Sequence, residues 1–368
     1  MTSLGLIADD LTGALDSAAA FTRVMGPVRV AWDAQHAENI GSLAVSTGTR
    51  EAAADEAAAR VAAFASVLTP RKGRLCLFKV DSLLRGHAGR ELLSVLAVQD
   101  FAHVVIAPAI PFQRRITLAG RQTVNNAPTG EDIVATLRSA GRRIAICEAG
   151  AEAPAGLSFW NTGTDADLDA VVAAGRRLSG PVLWVGAAGL ADALARAIGA
   201  PLRAPQGLVG PLLGLIGTDH PVMQGQIAAC AELHVELGAD IGAAEQAVHR
   251  LFAGNRAAFI TCALPPDIGR AAAEHAIATR FAALCRRIDW PGALFVSGGE
   301  TLAELCAGLG VTTLTVTGEF ESGAPLSRLN GGMWDGLDLI SKSGAFGTPD
   351  FLARLVSSLD RSVKVTPT

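Results

Sequence analysis

The chain has 368 residues, more than a single domain usually holds, so its length predicts two domains. Half of the residues are hydrophobic and 18% are charged, which excludes a largely disordered chain. The formal net charge of -4 provides no basic surface for phosphate backbones or anionic lipids, so neither nucleic acid nor a membrane is expected as a partner.

The cysteines and the N-terminus both predict a soluble cytoplasmic protein. The six cysteines are widely scattered, without a CxxC pair or a Cys/His cluster of zinc spacing. The residues before Asp9 lack the positive charge and the apolar run of a signal peptide. No segment reaches the roughly 18 uninterrupted apolar residues that a membrane span requires. We therefore expect reduced thiols, a cytoplasmic location and, from base rates, a homodimer.

Short strands alternate with alanine-rich helices along the first half of the chain. This alternation predicts an α/β fold in which a mainly parallel sheet is flanked by helices. Amphipathic helices are expected at Glu51–Leu68 and Asp165–Leu178. The predicted strands are Leu4–Ala8, Val28–Trp32, Leu43–Thr47, Leu75–Val80, Val104–Ala107, Ile144–Cys147 and Val182–Val185.

A seam at Gly199–Leu212 carries three prolines and three glycines and interrupts this alternation. It predicts a domain boundary near residue 206, with one domain over 1–205 and a second over 206–368. The second domain again predicts an α/β fold with a mainly parallel sheet. Its expected strands are Leu212–Ile216, His234–Leu237, Ala258–Thr261 and Ala293–Val296, and its expected helices are Val222–Glu232, Glu245–Phe252, Asp267–Arg287 and one from Pro349.

Two adjacent carboxylates, Asp9 and Asp10, follow the first predicted strand. Ligands of open α/β sheets gather at the carboxyl ends of the strands, so both are candidates for binding or catalysis. One of them could instead cap the helix that begins near Thr12, because a carboxylate accepts the unpaired N–H groups of a first turn. Capping explains one aspartate better than two.

A second charged stretch, Phe78–Glu91, follows the strand that contains Lys79. Asp81 and Ser82 come at the strand's end, and Arg85 with Gly86 is expected to open a helix. These charges predict either a structural ion-pair network or an anion pocket, since arginine offers a planar fork to a carboxylate.

The stretch Ala107–Gln122 is expected to be a proline-stiffened loop after the next strand. Its arginines at positions 114, 115 and 121 would add a second basic contribution to the same edge of the sheet.

Glycine-rich loops in the second half predict phosphate binding. A strand, the run Ser297–Glu300 and a helix follow one another, and Lys342–Gly347 precedes the terminal helix. Glycines allow close approach of the backbone, and a helix N-terminus supplies N–H donors to an anion. Neither a P-loop motif nor a GxGxxG after a strand is present.

The ordered set of motifs resembles the four-carbon acid sugar kinases, which are ATP-dependent kinases of D-threonate, D-erythronate and 3-oxo-tetronates. The resemblance covers nearly the whole chain. It rests on IADDLTGALDSA, KVDSLLRGH, APAIP with Arg115 and Gly120, VGAAGLADALA at Val185–Ala195, SGGET and KSGAFG. The resemblance implies an acid-sugar domain followed by a nucleotide domain, with the active site in the cleft between them.

The resemblance also implies roles for individual residues. Asp10 or Asp9 would orient or deprotonate the attacking hydroxyl, and Asp81 is a further candidate base. The acid's carboxylate would be held by Arg85 with Lys79 or Arg115, beside Ser82. ATP, with Mg²⁺, would be bound by Gly217, Thr218, His220, Ser297, Gly298, Gly299, Glu300, Thr301, Lys342, Gly344 and Gly347.

Two departures from the family pattern leave alternatives open. Thr218, Asp219 and His220 stand where a Gly-Ser-Cys-Ser type loop is usual, and an aspartate repels phosphates unless Mg²⁺ intervenes or it faces a ribose hydroxyl. The segment after Gly120 is shorter than expected, so the acid could differ from the usual ones. The alternatives are a catalytically silent sensor that binds nucleotide or sugar acid, and a hydroxy-acid dehydrogenase, which should carry the absent GxGxxG.

Overall fold

The computed structural model describes residues 3–38, 40–199, 207–254, 257–265 and 267–360. The chain divides into two compact units, an N-terminal unit (Met1–Arg203) and a C-terminal unit (Ala204–Thr368). The boundary expected near residue 206 lies outside the described residues. None of the helices in the described ranges combines the length and the apolar character that crossing a bilayer demands.

The N-terminal unit alternates strands and helices as the sequence predicts. Its helices are α1 (Leu11–Met25), α2 (Ala54–Phe64), α3 (Ala88–Val98), α4 (Ile133–Ser139), α5 (Asp165–Gly175) and α6 (Ala188–Ile198). Its strands are β1 (Ser3–Ala8), β2 (Val28–Ala31), β3 (Leu43–Ser46), β4 (Arg74–Lys79), β5 (His103–Ala107), β6 (Arg115–Leu118), β7 (Arg121–Val124), β8 (Ala127–Pro128), β9 (Ile144–Glu148), β10 (Gly156–Asn161) and β11 (Val182–Gly186).

The main sheet of this unit confirms the prediction of a parallel sheet flanked by helices. Its strand order is β2-β3-β1-β4-β11-β5-β10-β9, and neighbouring strands pair in parallel. One face of the sheet, with Ile7, Phe78 and Ile106, packs in one core with Leu92 and Val95 of α3. Strands that are buried on both faces need continuous apolar runs, which is why they stand out in the sequence.

The stretch Ala107–Gln122 is more ordered than the loop we expected, because β6, β7 and β8 form a small antiparallel sheet. Leu118 pairs with Arg121, so Ala119 and Gly120 form the two-residue turn between β6 and β7. Both turn residues have positive φ, 50° and 77°, as a type I′ hairpin turn requires. Alanine rarely adopts that conformation, so the turn carries a weak sequence signal.

The expectation that Arg85 and Gly86 open a helix is wrong, because α3 begins at Ala88. Leu84 (φ 53°) and Gly86 (φ 79°) both have positive φ, so the chain turns on either side of Arg85 instead of continuing as a helix. This turn holds Arg85 close to the end of β4.

The C-terminal unit is a second α/β sheet. Its helices are α7 (Pro221–Ala228), α8 (Ile241–Gly254), α9 (Arg270–Cys285), α10 (Gly299–Leu309) and α11 (Phe351–Ser357). Its strands are β12 (Leu208–Val209), β13 (Leu212–Ile216), β14 (His234–Leu237), β15 (Ala257–Cys262), β16 (Ala293–Ser297), β17 (Thr313–Glu321), β18 (Ala324–Asn330), β19 (Asp338–Lys342) and β20 (Leu359–Asp360).

The sheet of this unit is mainly parallel, as predicted. The order is β14-β15-β13-β16-β19-β18-β17, in which the pairs from β14 to β19 are parallel and those among β19, β18 and β17 are antiparallel. Strands β12 and β20 form a separate two-stranded ribbon. Contacts between aromatic rings join Phe259 to Phe295 and Phe295 to Phe351 in the core beneath the sheet.

Candidate active site

The paired aspartates emerge beside the second charged stretch at one edge of the N-terminal sheet. Strands β1 and β4 are parallel neighbours, and Ala8 is paired with Lys79. The two chains therefore leave the sheet side by side, which brings Asp9 and Asp10 close to Asp81. This arrangement follows from parallel pairing, since adjacent strands end at the same edge.

Asp10 is the residue that caps α1. Its Oδ1 accepts a hydrogen bond of 2.7 Å from the backbone N–H of Gly13. A side chain at position 13 would collide with this arrangement, because a Cβ there would lie 2.6 Å from Asp10 Oδ1 and 3.0 Å from Lys79 Nζ. Glycine at this position lets the first turn of α1, the cap and the lysine meet.

Arg50, which the sequence analysis missed, joins these carboxylates. It follows β3, the other neighbour of β1. Its Nε and NH2 donate to Asp9 Oδ2 and Oδ1 at 2.8 and 2.9 Å, and its NH1 donates to Asp10 Oδ2. NH2 also lies 3.6 Å from Asp81 Oδ1. A single arginine after an ordinary strand carries no motif of its own, and only the strand order brings it to the aspartates.

Asp81 is held by its own turn. Its Oδ2 accepts from the backbone N–H groups of Leu83 and Arg85 at 3.0 and 3.2 Å. Arg85 adds two side-chain bonds, one to each carboxylate oxygen. Burial alone would raise the pKa of Asp81, but the bonds from Arg85 and the charges of Arg50, Arg85 and Lys79 hold that pKa well below its ordinary value.

The exposure of the three carboxylates distinguishes them as candidate bases. The side chains of Asp9 and Asp81 are 6% and 5% exposed, and that of Asp10 is 15% exposed. Burial raises the pKa of Asp9 and outweighs the opposing charges of Arg50 and Lys79. Asp10 is therefore the most accessible of the three carboxylates.

Lys79 and Asp16 lie beneath this cluster. Lys79 is buried, and its Nζ donates to the carbonyl of Val80 at 3.0 Å. Burial raises the pKa of Asp16, in α1, to about 6, although the charge of Lys79 opposes that shift. Asp16 was not singled out from the sequence because it sits inside a helical alanine-rich run.

The β6–β7 hairpin brings Arg115 to the cluster. Its NH1 donates to Ser82 Oγ, and Gln122 on the paired strand donates to the carbonyl of Ser82 at 2.8 Å. Both strands of the hairpin are thus tied to the residue that follows Asp81. The structure therefore brings together the predicted residues Asp9, Asp10, Lys79, Asp81, Ser82, Arg85 and Arg115.

The C-terminal unit contains a cavity of about 1390 Å³ at the carboxyl ends of its parallel strands. Ile216 is paired with Ser297, and Ser297 with Lys342, so the loops after β13, β16 and β19 converge there. The N-termini of α7 and α10 open onto the cavity. Of the predicted nucleotide residues, its lining includes Gly217, Thr218, His220, Gly298, Gly299, Glu300, Thr301 and Gly344.

The loops around the cavity are packed closely. A Cβ at position 217 would lie 1.9 Å from Thr301 Oγ1, and Gly298 adopts a φ of 114° where β16 meets α10. His220, in the altered loop, caps α7 by accepting from the backbone N–H of Val222 at 3.2 Å. Asp219 also lines the cavity.

Three predicted nucleotide residues are not in the lining of this cavity: Ser297, Lys342 and Gly347. Lys342 is 2% exposed, and its Nζ donates to the carbonyls of Ser343 and Phe346 at 3.1 and 2.7 Å. Burial lowers the pKa of Lys342 to about 8, although the charge of Glu321 opposes that shift. Through these two bonds its ammonium group stabilises the 343–346 loop.

The apolar wall of the cavity was not predicted from the sequence. It is formed by apolar and small side chains of α7 and α9, including Ala228 and Ile277, and by His234 and Thr261 on the neighbouring strands β14 and β15. His234 Nε2 lies 2.8 Å from Thr261 Oγ1. These residues are far apart in the chain and form no motif.

Comparison with known protein families matches each unit to a separate family model. Residues 4–145 match a sugar-binding N-terminal domain, and residues 213–352 match a nucleotide-binding C-terminal domain. The first range contains the Asp9–Arg50–Asp81 cluster and Arg115. The second contains the loops around the cavity.

Curated relatives match over nearly the whole chain. A D-threonate kinase of Cupriavidus necator is 29% identical, with 93% of this chain and 94% of that protein covered. A D-threonate kinase of Bordetella bronchiseptica is 28% identical, with 97% of each covered. A 3-oxo-tetronate kinase of Methylobacterium radiotolerans is 26% identical, with 97% of this chain and 99% of that protein covered.

Solved structures share the fold. A protein of Salmonella typhimurium LT2 superposes with a TM-score of 0.74 at 21% identity, covering 96% of this chain and 98% of that one. A protein of Haemophilus influenzae superposes with a TM-score of 0.70 at 20% identity and the same coverage.

Proposed function

Because this chain belongs to the family of four-carbon acid sugar kinases, we propose that it transfers the γ-phosphoryl group of ATP to a hydroxyl of a small sugar acid. The observation that carries the proposal is the cluster of Asp9, Asp10 and Asp81 with Arg50 and Arg85, inside the range that matches a sugar-binding domain. The cluster combines carboxylates for a hydroxyl with arginines for an acid group.

The acid is proposed to bind with its carboxylate toward Arg85 and Arg115. Arginine suits this role because its planar fork matches a carboxylate. The Arg85 side chain is 51% exposed, in contrast to the 15% of Arg50, so Arg85 is the cation that an incoming anion meets. Ser82, bonded to Arg115, would add a hydroxyl to the same contact.

Asp10 is proposed to face the reacting hydroxyl. A carboxylate within hydrogen-bond reach orients the hydroxyl and accepts its proton as the phosphorus–oxygen bond forms. Asp9 has both oxygens engaged by Arg50, and Asp81 has both engaged by its turn and Arg85. Asp10 likewise accepts one bond on each oxygen, but its side chain is 15% exposed, against 6% for Asp9 and 5% for Asp81, and this exposure supports Asp10 over the other two.

ATP is proposed to bind in the cavity of the C-terminal unit. The backbone N–H groups at the start of α10 and the glycine loop at Gly298–Gly299 suit the phosphates, since a helix N-terminus attracts anions. The apolar wall with Ala228 and Ile277 suits the adenine ring, and the volume suffices for a nucleotide.

Mg²⁺ is proposed to accompany ATP and to neutralise phosphate charge. Carboxylate oxygens and phosphates are the ligands that Mg²⁺ prefers, and Asp219 lines the cavity beside the glycine loops. On this proposal the altered loop, with Asp219, holds the metal rather than repelling the nucleotide.

An ADP-release assay with ATP and Mg²⁺ against four- to six-carbon sugar acids tests the proposal. We expect ADP release with one acid or a small group of stereoisomers, and D-threonate, D-erythronate and a 3-oxo-tetronate should be in the panel. Silence with every acid, while ATP still raises the melting temperature, would overturn the kinase proposal in favour of a sensor. Homodimer formation stays a prediction and is checked by light scattering.

A further inference from the structure

We propose that Arg50 is a positioning residue for the transfer, holding the Asp10 carboxylate in one orientation while it neutralises Asp9. The inference rests on the proposed kinase function and assigns a role to a residue that lies outside the sequence motifs. Arg50 touches the reacting hydroxyl only through Asp10, so it acts through another residue rather than on the substrate.

The contacts of Arg50 give the first reason. Its guanidinium makes two bonds to Asp9 and one to Asp10, and it lies 3.6 Å from Asp81. Burial opposes the charged form, but the three aspartates raise the pKa of Arg50 above its ordinary value. A lysine could not replace it, because one ammonium cannot span two carboxylates with the geometry of a planar fork.

The orientation of Asp10 gives the second reason. Each of its two oxygens is held by a different donor, Oδ1 by the N–H of Gly13 and Oδ2 by Arg50. Removing Arg50 leaves one bond, and the carboxylate can then rotate about its side-chain torsions. A misplacement of about 1 Å in a reacting group can reduce turnover by about 100-fold.

The backbone around Arg50 is anchored to β1. The N–H of Thr47 donates to the carbonyl of Ala8, and that of Thr49 donates to the carbonyl of Asp9, both at 2.9 Å. On the other side, a Cβ at Gly86 would lie 3.2 Å from the carbonyl oxygen of Arg50. The arginine therefore lies on a segment fixed against both charged stretches, as a positioning residue requires.

A positioning role of Arg50 can be distinguished from a purely structural one with three variants: Arg50→Ala, Arg50→Lys and the control Arg196→Ala. Arg196 also makes two bonds to one aspartate, Asp169, but at an exposed site between α6 and α5. We expect Arg50→Ala to lower kcat by about 100-fold or more while KM for ATP changes less than about threefold. Added guanidinium should raise the kcat of Arg50→Ala by at least about tenfold and should leave the kcat of Asp10→Asn unchanged.

The outcomes test the positioning role of Arg50 separately from the proposed kinase function. An Arg50→Ala protein within about threefold of wild-type kcat would overturn it, and so would a folded variant that guanidinium does not rescue. If Arg50→Ala fails to fold, Arg50→Lys decides. It supports the inference by folding with a low kcat and contradicts it by retaining wild-type kcat. A wild-type chain that is inactive with every acid would instead overturn the proposed function.

Discussion

Arg85 and Asp81 close a single turn on each other, with Nε 3.0 Å from Oδ2 and NH2 2.8 Å from Oδ1. The pair sits at the end of β4, and the arginine is half exposed while the aspartate is buried. Asp81 therefore fixes the guanidinium from below and leaves its outer face to solvent. The proposed contact with the acid's carboxylate would therefore use the NH1 side of the Arg85 guanidinium, since Nε and NH2 are bonded to Asp81.

Arg85→Ala should raise KM for the sugar acid by about 10- to 100-fold, because a hydrogen bond to a charged group contributes about 1.5–3 kcal/mol. The turnover number should fall less, since Asp10 keeps its own contacts. Steady-state kinetics with the acid varied at saturating ATP measure the change. Arg90→Ala is the matched control, because Arg90 is equally exposed and pairs with Asp55 instead. Equal effects of the two variants would remove Arg85 from the binding site.

Asp10→Asn should lower kcat by about 100- to 10,000-fold, because a general base usually contributes that much to the rate. Asparagine is as good an N-cap as aspartate, so α1 should stay stable, and ATP binding should change only a few-fold. Asp10→Ala removes both the base and the cap acceptor for Gly13. It should cost about 1 kcal/mol of stability in addition to the lost turnover. Activity near the wild-type level in Asp10→Asn would exclude Asp10 as the base.

Ala228→Phe should raise the Kd for ATP by at least about tenfold, because an aromatic ring at this position of the apolar wall fills part of the cavity. Ala229→Phe is its control. Ala229 is also exposed, follows directly at the end of α7, and is not in the lining of the cavity. Isothermal titration with ATP measures both variants. If they bind ATP equally, the nucleotide site is elsewhere.

Lys342→Met should change how stability depends on pH. The folded-state pKa is about 8 and the ordinary value is 10.5, so between these the unfolded chain binds more protons and wild-type stability gains from rising pH. The gain is absent below about pH 8 and complete above pH 10.5. In Lys342→Met this gain should disappear.

Urea unfolding of both proteins at several pH values measures the difference between them. The comparison is favourable because the chain contains no tyrosine that would titrate in the same range. The buried cysteines Cys76, Cys285 and Cys306 have raised pKa values, but they are common to both proteins, so their contribution cancels. Parallel stability curves would show that the Lys342 ammonium group is not destabilised in the folded state.

Local patterns predicted the elements whose signals are continuous along the chain. The buried strands, such as Leu212–Ile216, carry unbroken apolar runs, and Asp10 stands where a helix cap is expected. The predicted residues Asp9, Asp10, Asp81 and Arg85 meet because they follow β1 and β4, which are neighbours. The order of strands in a sheet is a tertiary property, however, and the sequence alone did not show that β3 brings Arg50 to the same place.

The missed features depend on contacts between distant segments or on unusual backbone conformations. The β6–β7 hairpin turns at Ala119, a residue type that seldom adopts positive φ. Lys342 was expected to reach phosphates, but its ammonium group turned to the carbonyls of the following loop. A glycine-rich loop beside a lysine does not reveal which way the lysine points. The wall of His234 and Thr261 required the parallel pairing of β14 and β15.

The β6–β7 hairpin has a consequence for the choice of substrate. Arg115 is the first residue of β6, and the hairpin is tied at Ser82 by residues of both strands. Arg115 lies at the base of the hairpin, opposite Val124, so these bonds to Ser82 rather than the turn at Ala119 and Gly120 hold its guanidinium in place. We expect the separation between Arg115 and Asp10 to match the carbon chain of the acid. Substitutions at Ser82 or Gln122 would then shift the hairpin and the accepted chain length without altering the buried strands β1 and β4. Substrate range thus depends on how one hairpin is anchored, while the carboxylates and Arg50 stay as they are.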